Sequence, residues 1–175
     1  FLGVHIRADL ASPPLCSHRE RADGPSRIHW RMTAFKQPVS VLVVIHTSSL
    51  DVLLLERAAH PGYWQSVTGS REEQESLLAT ARREVAEETG FQVRESDLVD
   101  WKLNHRYEIF PEWRHRYAPG VTENIEHVFS LCLEDRNPPR LSPGEHRAWR
   151  WLSAKEAAAM CFSWSNREAI LALEQ

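Results

Sequence analysis

Between Gly69 and Phe91 the chain reads GSREEQESLLATARREVAEETGF, a segment with few ways to fold. From Ser76 to Thr89 it contains neither glycine nor proline, and Gly90 stands where a helix usually ends. At about 3.6 residues per turn, Leu78, Ala81 and Val85 make an apolar stripe that needs a sheet to pack on. Glu84, Glu87 and Glu88 fall at i, i+3 and i+4 and share another face. Three carboxylates there repel one another and lie toward the negative end of the helix dipole. The placement costs stability unless a cation sits on that face. Hard oxygen donors at this spacing suit a divalent ion such as Mg²⁺, which keeps several waters and shares itself with phosphates. Glu75, in the preceding loop or first turn, can add an oxygen. Spacing alone also admits a solvated acidic face partnered by Arg82 and Arg83, the commoner fate of a charge run.

The elements around this helix are legible from Pro38 onward. Val39–Ile45 and Val52–Glu56 are rich in β-branched residues and leucine, and the turn-like Thr47-Ser48-Ser49 between them predicts a hairpin. Trp64–Val67 reads as a short extended piece leading to Gly69. Leu98–Tyr107, His127–Leu133 and Arg147–Leu152 read as further strands. The chain ends in helical material with two expected capping boxes, Ser153-x-x-Glu156 and Ser165-x-x-Glu168. Strands, helix, strands, helix imply an α/β fold, a mixed β-sheet flanked by helices in an α/β/α sandwich.

The longest apolar run, Val41–Ile45, falls far short of the roughly 18 residues a membrane helix needs. A net charge of -3 lacks the basic excess of a nucleic-acid binder. Cys16, Cys132 and Cys161 are odd in number and far apart, so neither a disulfide framework nor a CxxC metal site is indicated. The histidines show no zinc-site spacing. The expectation is a soluble, cytoplasmic protein without nucleic-acid or membrane partners, its oligomeric state open. Residues 1–31 hold Pro13, Pro14 and Pro25, scattered arginines and no apolar periodicity, and Met32 is the first methionine. They read as a leader or upstream extension, poorly ordered, ahead of a domain over residues 32–175.

The spacing of Gly69, Glu75, Arg83-Glu84, Val85, Glu87-Glu88, Gly90 and Phe91 resembles the signature of the Nudix hydrolases, Gly-x5-Glu-x7-Arg-Glu-U-x-Glu-Glu-x-Gly-U, with U a bulky apolar residue. Every specified position is filled. The resemblance implies the Nudix α/β/α sandwich, with this segment as its loop–helix–loop. It implies that Glu84, Glu87 and Glu88 bind the catalytic metal, Mg²⁺ with Mn²⁺ able to substitute. Arg83 would orient the glutamates, and Gly69 would let the loop close on the helix. The implied reaction is attack of water on a phosphorus of a small phosphorylated metabolite.

Outside the signature, Lys36–Ile45, Trp64–Ser70, Arg114–Thr122 and Ser163–Arg167 are similar to the branch of the family that hydrolyses dihydroneopterin triphosphate in folate biosynthesis. That similarity runs from about Lys36 to the chain end. It implies substrate contacts at Lys36, Arg57, Thr68, Tyr107, Glu108, Ile109, Phe110 and Ser163. The chemistry is suitable: two cations for a triphosphate, a hydroxyl beside Gly69, aromatic rings to stack on a pterin and Glu108 to accept its N–H groups. For the aromatics, core packing is an equal alternative, as is surface solvation for Lys36 and Arg57. Glu145, in the turn Pro143-Gly144-Glu145-His146, is by itself an ordinary solvated glutamate. Its position matches the family's additional glutamate, which implies a metal ligand or general base. The connection Asn104–Glu126 is long and locally basic, as a substrate-covering loop would be. The same signature also serves pyrophosphatases that clear canonical or damaged nucleoside triphosphates. A nucleotide-sensing module without catalysis is the third reading, though such modules often lose the glutamates retained here.

Overall fold

The structure, a computed structural model, describes residues 35–173. The expected leader and the start at Met32 lie outside the described residues. Among the described residues, seven strands build one mixed sheet. Its centre is β1 (Val39–Thr47), parallel to β6 (Glu123–Leu133) from Val39↔Ile125 to Thr47↔Leu133. Strand β5 (Leu98–Glu108) runs antiparallel along β6. Strand β2 (Asp51–Arg57) carries β7 (His146–Ser153) and the short β3 (Trp64–Gln65), both antiparallel. Strand β4 (Val67–Ser70) pairs with β1 from Ser40↔Ser70 to Val43↔Val67.

The expected hairpin of β1 and β2 exists only at its tip, where His46 pairs with Val52. Beyond that pair the strands diverge, and β3 and β4, broken at Ser66, fill the wedge between them. Four residue pairs to β4 satisfy the β1 backbone that a hairpin would have satisfied with β2. This wedge carries Thr68 and Gly69 into the middle of the molecule.

Burial alternates along β1 in its destination. Val41, Val43 and Ile45 join Leu53, Leu55, Phe129 and Leu131 on one face, and Leu42 and Val44 join Val52, Leu54 and Val128 on the other. Helix α1 (Leu77–Thr89) covers the first face with Ala81 and Val85; α2 (Ala154–Met160) and α3 (Trp164–Ala172) cover the second with Ala157, Ala158, Ala169 and Ile170. A strand covered on both faces reads as a continuous apolar run, as Val41–Ile45 does. Burying each such side chain contributes roughly 1.5–3 kcal/mol, so the doubly covered β1 is the least replaceable part of the scaffold. Helix α1 starts where Ser76 Oγ accepts from the Ala79 amide and ends at Gly90, whose φ of 74° is left-handed. Ser153 and Glu156 form the expected capping box of α2. The cap of α3 is Ser163, not the expected Ser165: its Oγ accepts from the Asn166 amide, while Ser165 lies inside the first turn. Spacing favours Ser165, which alone of the two has a glutamate three residues on, but burial of Ser165 against the cavity leaves the cap to Ser163. The expected long connection shortens to residues 109–122, because β5 and β6 both extend further than their apolar pattern, and a 3₁₀ turn occupies Pro111–Arg116. No described helix is long and apolar enough to cross a membrane.

Candidate active site

Gly69 and α1 set the geometry of the site. A Cβ on Gly69 would lie 1.8 Å from Glu84 Cδ and 1.9 Å from its Oε1. Glycine is therefore required there by close approach, the carboxylate of α1 lying directly on the strand backbone. Arg83 fastens the arrangement. Its Nη1 donates to Glu84 at 2.7 Å and to Glu87 at 3.2 Å, its Nε and Nη2 donate to the two oxygens of Glu75, and Nη2 also reaches the Ser70 carbonyl at 3.0 Å. Glu75 additionally accepts from Thr80 Oγ1 at 3.0 Å. Glu75 is thus committed to Arg83 and does not line the cavity described below, contrary to the expectation that it adds a metal oxygen. The guanidinium and these hydrogen bonds hold the Glu75 carboxyl at about 2.

Glu84, Glu87 and Glu88 all line one cavity of about 550 Å³, and Glu145 lines it from the β7 side. Their surroundings differ. Glu87 is more than half exposed, with a side-chain exposure of 55%, while Glu84 and Glu88 are buried. Burial pushes the Glu84 carboxyl up to about 7 despite its Arg83 partner. Burial likewise raises Glu88, against the opposing pull of His146. His146 Nε2 lies 3.1 Å from Glu88 Oε2, yet neither atom has an aligned hydrogen bond among the described residues. Glu88, Glu145 and His146 each bring a ligand atom within 4.8 Å of the others. Two carboxylates and an imidazole around an unsatisfied buried oxygen fit a divalent cation, which would neutralise the charge that burial penalises. His146 is missing from the sequence-based set, because a histidine after a turn glutamate carries no spacing signal. Glu84 and Glu87 converge on Arg83 rather than on this cluster.

Three cationic residues line the same cavity as the carboxylates. Burial lowers the Lys36 ammonium, Arg116 lowers it further, and Glu84 and Glu145 oppose the shift. Burial also lowers Arg57, which feels Glu88 and stacks its guanidinium 5.5 Å from the Trp113 ring centroid. Arg116 completes the cationic wall from the 3₁₀ turn. Thr68 lines the cavity, and its hydroxyl accepts from Gln65 at 3.0 Å.

The remaining sequence-derived residues are also brought to this cavity, with differing freedom. Tyr107 is held by Asn124, which donates to its hydroxyl at 3.0 Å. Phe110 is exposed and meets Trp113 edge to face, so its ring is open to a ligand. Ile109 is buried, and its amide bonds the Thr122 carbonyl. Glu108 is ion-paired with Arg114. The Ser163 hydroxyl accepts from both nitrogens of Asn166 as the α3 cap. Asn124, Glu126, Ser165 and Asn166 line the cavity as well; the first two carry no sequence signal, and the other two sit in the Ser163–Arg167 stretch, where only Ser163 reads as a contact.

Residues 36–173 match the NUDIX domain family. The chain is 47% identical over 139 residues to the dihydroneopterin triphosphate diphosphatase of Escherichia coli K12, covering 78% of this chain and 91% of that protein. It is 42% identical over 142 residues to the enzyme of the same name from Haemophilus influenzae, covering 79% and 89%. It superposes on the solved structure of the E. coli dihydroneopterin triphosphate pyrophosphohydrolase with a TM-score of 0.72, over 78% of this chain and 94% of that one.

Proposed function

The chain belongs to the Nudix family and is a pyrophosphohydrolase, and from that premise we propose that it converts dihydroneopterin triphosphate and water to dihydroneopterin monophosphate and pyrophosphate. The observation that carries the substrate is the 47% identity to an enzyme named for this reaction, over nine-tenths of that enzyme's length. The cavity is chemically suited to it: carboxylates for a metal, cations for a phosphate chain and an open aromatic ring in one space of about 550 Å³.

Nudix hydrolases use divalent ions, and the ion proposed here is Mg²⁺, with Mn²⁺ able to substitute; Glu84, Glu87, Glu88 and Glu145 would hold it, with Glu88 and Glu145 converging beside His146 and Glu84 and Glu87 set at its edge by Arg83. When bound, such an ion lowers the pKa of water and neutralises charge developing on the phosphates. Arg83 fixes the glutamates so that little reorganisation accompanies the reaction. Lys36 and Arg57 bind the triphosphate, joined by Arg116, and favour departure of pyrophosphate over smaller fragments by gripping the chain beyond its first phosphorus. Thr68 and Ser163 contact the substrate as acceptors or donors at the cavity wall. Tyr107, Ile109 and Phe110 bound the ring, and Glu108 adds an acceptor at the rim. Glu145 is the general base or a further ligand, since it alone of the acids comes from a turn and can approach from the other side.

The test is a product analysis with dihydroneopterin triphosphate, dGTP and dATP side by side in Mg²⁺. Pyrophosphate and the monophosphate are expected, with the highest kcat/KM for the pterin. A pterin used less efficiently than both purines would assign the protein to clearance of nucleoside triphosphates. Orthophosphate as the released product would overturn the bond assignment, and no turnover of any triphosphate would favour a sensing role.

A further inference from the structure

Asn124 and Glu126 stand two residues apart on β6 and so share a face. Both line the cavity and are almost wholly buried, at 2% and 4% exposure. The Asn124 amide nitrogen donates to Ser40 Oγ at 2.7 Å and to Tyr107 Oη at 3.0 Å. Both amide hydrogens are thereby engaged, and the carbonyl Oδ1 has no partner among the described residues. The Tyr107 hydroxyl, accepting from Asn124, keeps its own hydrogen, and it and the Ser165 hydroxyl pull the Glu126 carboxyl down against the upward push of burial. Glu126 Oε1 nevertheless has no partner. His105 Nδ1 is 3.9 Å away, beyond hydrogen-bond reach.

A buried oxygen without a donor is costly, and two in one wall, with both Asn124 amide hydrogens engaged and the partnerless His105 Nδ1 out of reach, leave acceptors for a ligand to satisfy. The Asn124 carbonyl can only accept, and Glu126 accepts as the ionised carboxylate, its form above the raised pKa of about 7 that burial gives it. We infer that Asn124 Oδ1 and Glu126 Oε1 are the specificity-determining acceptors that read the donor edge of the substrate's heterocycle, a ring N–H flanked by an exocyclic amine. This rests on the reading above that the cavity takes a heterocyclic triphosphate. The 2-amino-4-oxo ring shared by pterin and guanine presents such an edge. Adenine sets a bare ring nitrogen beside its amine, which opposes acceptor to acceptor and is rejected.

The experiment uses the whole chain with Glu126→Gln. The glutamine oxygen takes over the Ser165 and Tyr107 donors, so its NH₂ faces the cavity and opposes the ligand's donors. The expected result, measured above the Glu126 pKa, is a 10–100-fold fall in kcat/KM for dihydroneopterin triphosphate and dGTP, mostly in KM, with their preference over dATP reduced at least about tenfold because the new donor suits adenine's bare ring nitrogen. Neopterin, the fluorescent ring without phosphates, should bind the variant at least about tenfold more weakly than wild type. Equal losses on dATP and the pterin, or an unchanged pterin KM and neopterin affinity, would overturn the assignment. If the variant does not fold, the wild type decides: dITP, which lacks only the 2-amino donor, should be used about tenfold less efficiently than dGTP, and equal use refutes the idea. A wild type that ignores dihydroneopterin triphosphate but loses its preference for dGTP over dATP in Glu126→Gln would sink the pterin substrate while leaving these acceptors in place.

Discussion

Replacing Gly69 by alanine separates the chemistry from the fold with one methyl group. The new Cβ would meet Glu84 Cδ at 1.8 Å, Oε1 at 1.9 Å and Cγ at 2.4 Å. The clash is with the end of a flexible side chain and not with backbone, so the chain relieves it by swinging Glu84 away. Reaching an ordinary contact of 3.4 Å moves the carboxylate by about 1.6 Å. That shift breaks its 2.7 Å bond to Arg83, while Arg83 keeps Glu75, Glu87 and the Ser70 carbonyl. A misplacement of about 1 Å costs roughly 100-fold in rate, so kcat should fall at least that far. The stability cost is that of local overpacking, about 1–3 kcal/mol, or less than about 10 °C in thermal midpoint. Steady-state pyrophosphate release in saturating Mg²⁺, alongside a thermal melt, measures both. A Gly69→Ala variant with near wild-type kcat would refute the claim that the Glu84 carboxylate works in the position it occupies. A variant that is inactive only because it is unfolded would refute the division between side-chain clash and scaffold.

Two further outcomes follow from the buried carboxylates. Glu88→Gln should lower kcat on the order of 100-fold or more in saturating Mg²⁺, with an unchanged or raised midpoint in metal-free buffer, because it removes a charge that burial penalises. Mg²⁺ at 100 times its Kd should stabilise the wild type by about 2.7 kcal/mol and the variant far less; a sharply lowered midpoint with persisting activity would make Glu88 structural. Burial raises Glu126 from 4.5 to about 7, so the folded state holds a proton that the unfolded chain has released. Its contribution is fully present below pH 4.5 and is lost as pH rises to about 7, a change on the order of 3 kcal/mol. Denaturant melts of Glu126→Gln should therefore gain on wild type across that window, and parallel pH curves would contradict the shift.

The sequence by itself determined what is encoded within a turn or two of chain. Ser76, the apolar stripe of Ala81 and Val85, and Gly90 specify α1 and its ends through contacts no more than four residues long. The acidic face of Glu84, Glu87 and Glu88 follows from helical pitch, and the β1 run Val41–Ile45 from its covering on both sides. The tertiary structure alone decided who meets whom. Glu75 reads as a metal oxygen until α1 turns Arg83 onto it. The β1–β2 turn reads as a full hairpin until residues 64–70 enter the wedge. Ser165, with Glu168 three residues on, reads as the α3 cap until its burial leaves that place to Ser163. His146, Asn124 and Glu126 look like ordinary polar residues beside a turn or alternating on a strand. Their character comes from partners such as Ser40, 84 residues from Asn124, and from burial that no local pattern records. Capping and helical periodicity are short-range and nearly additive, whereas the burial of a polar atom depends on every element packed around it. A reading of local pattern therefore recovers the helix that carries the glutamates and misses the acceptors that face the ring.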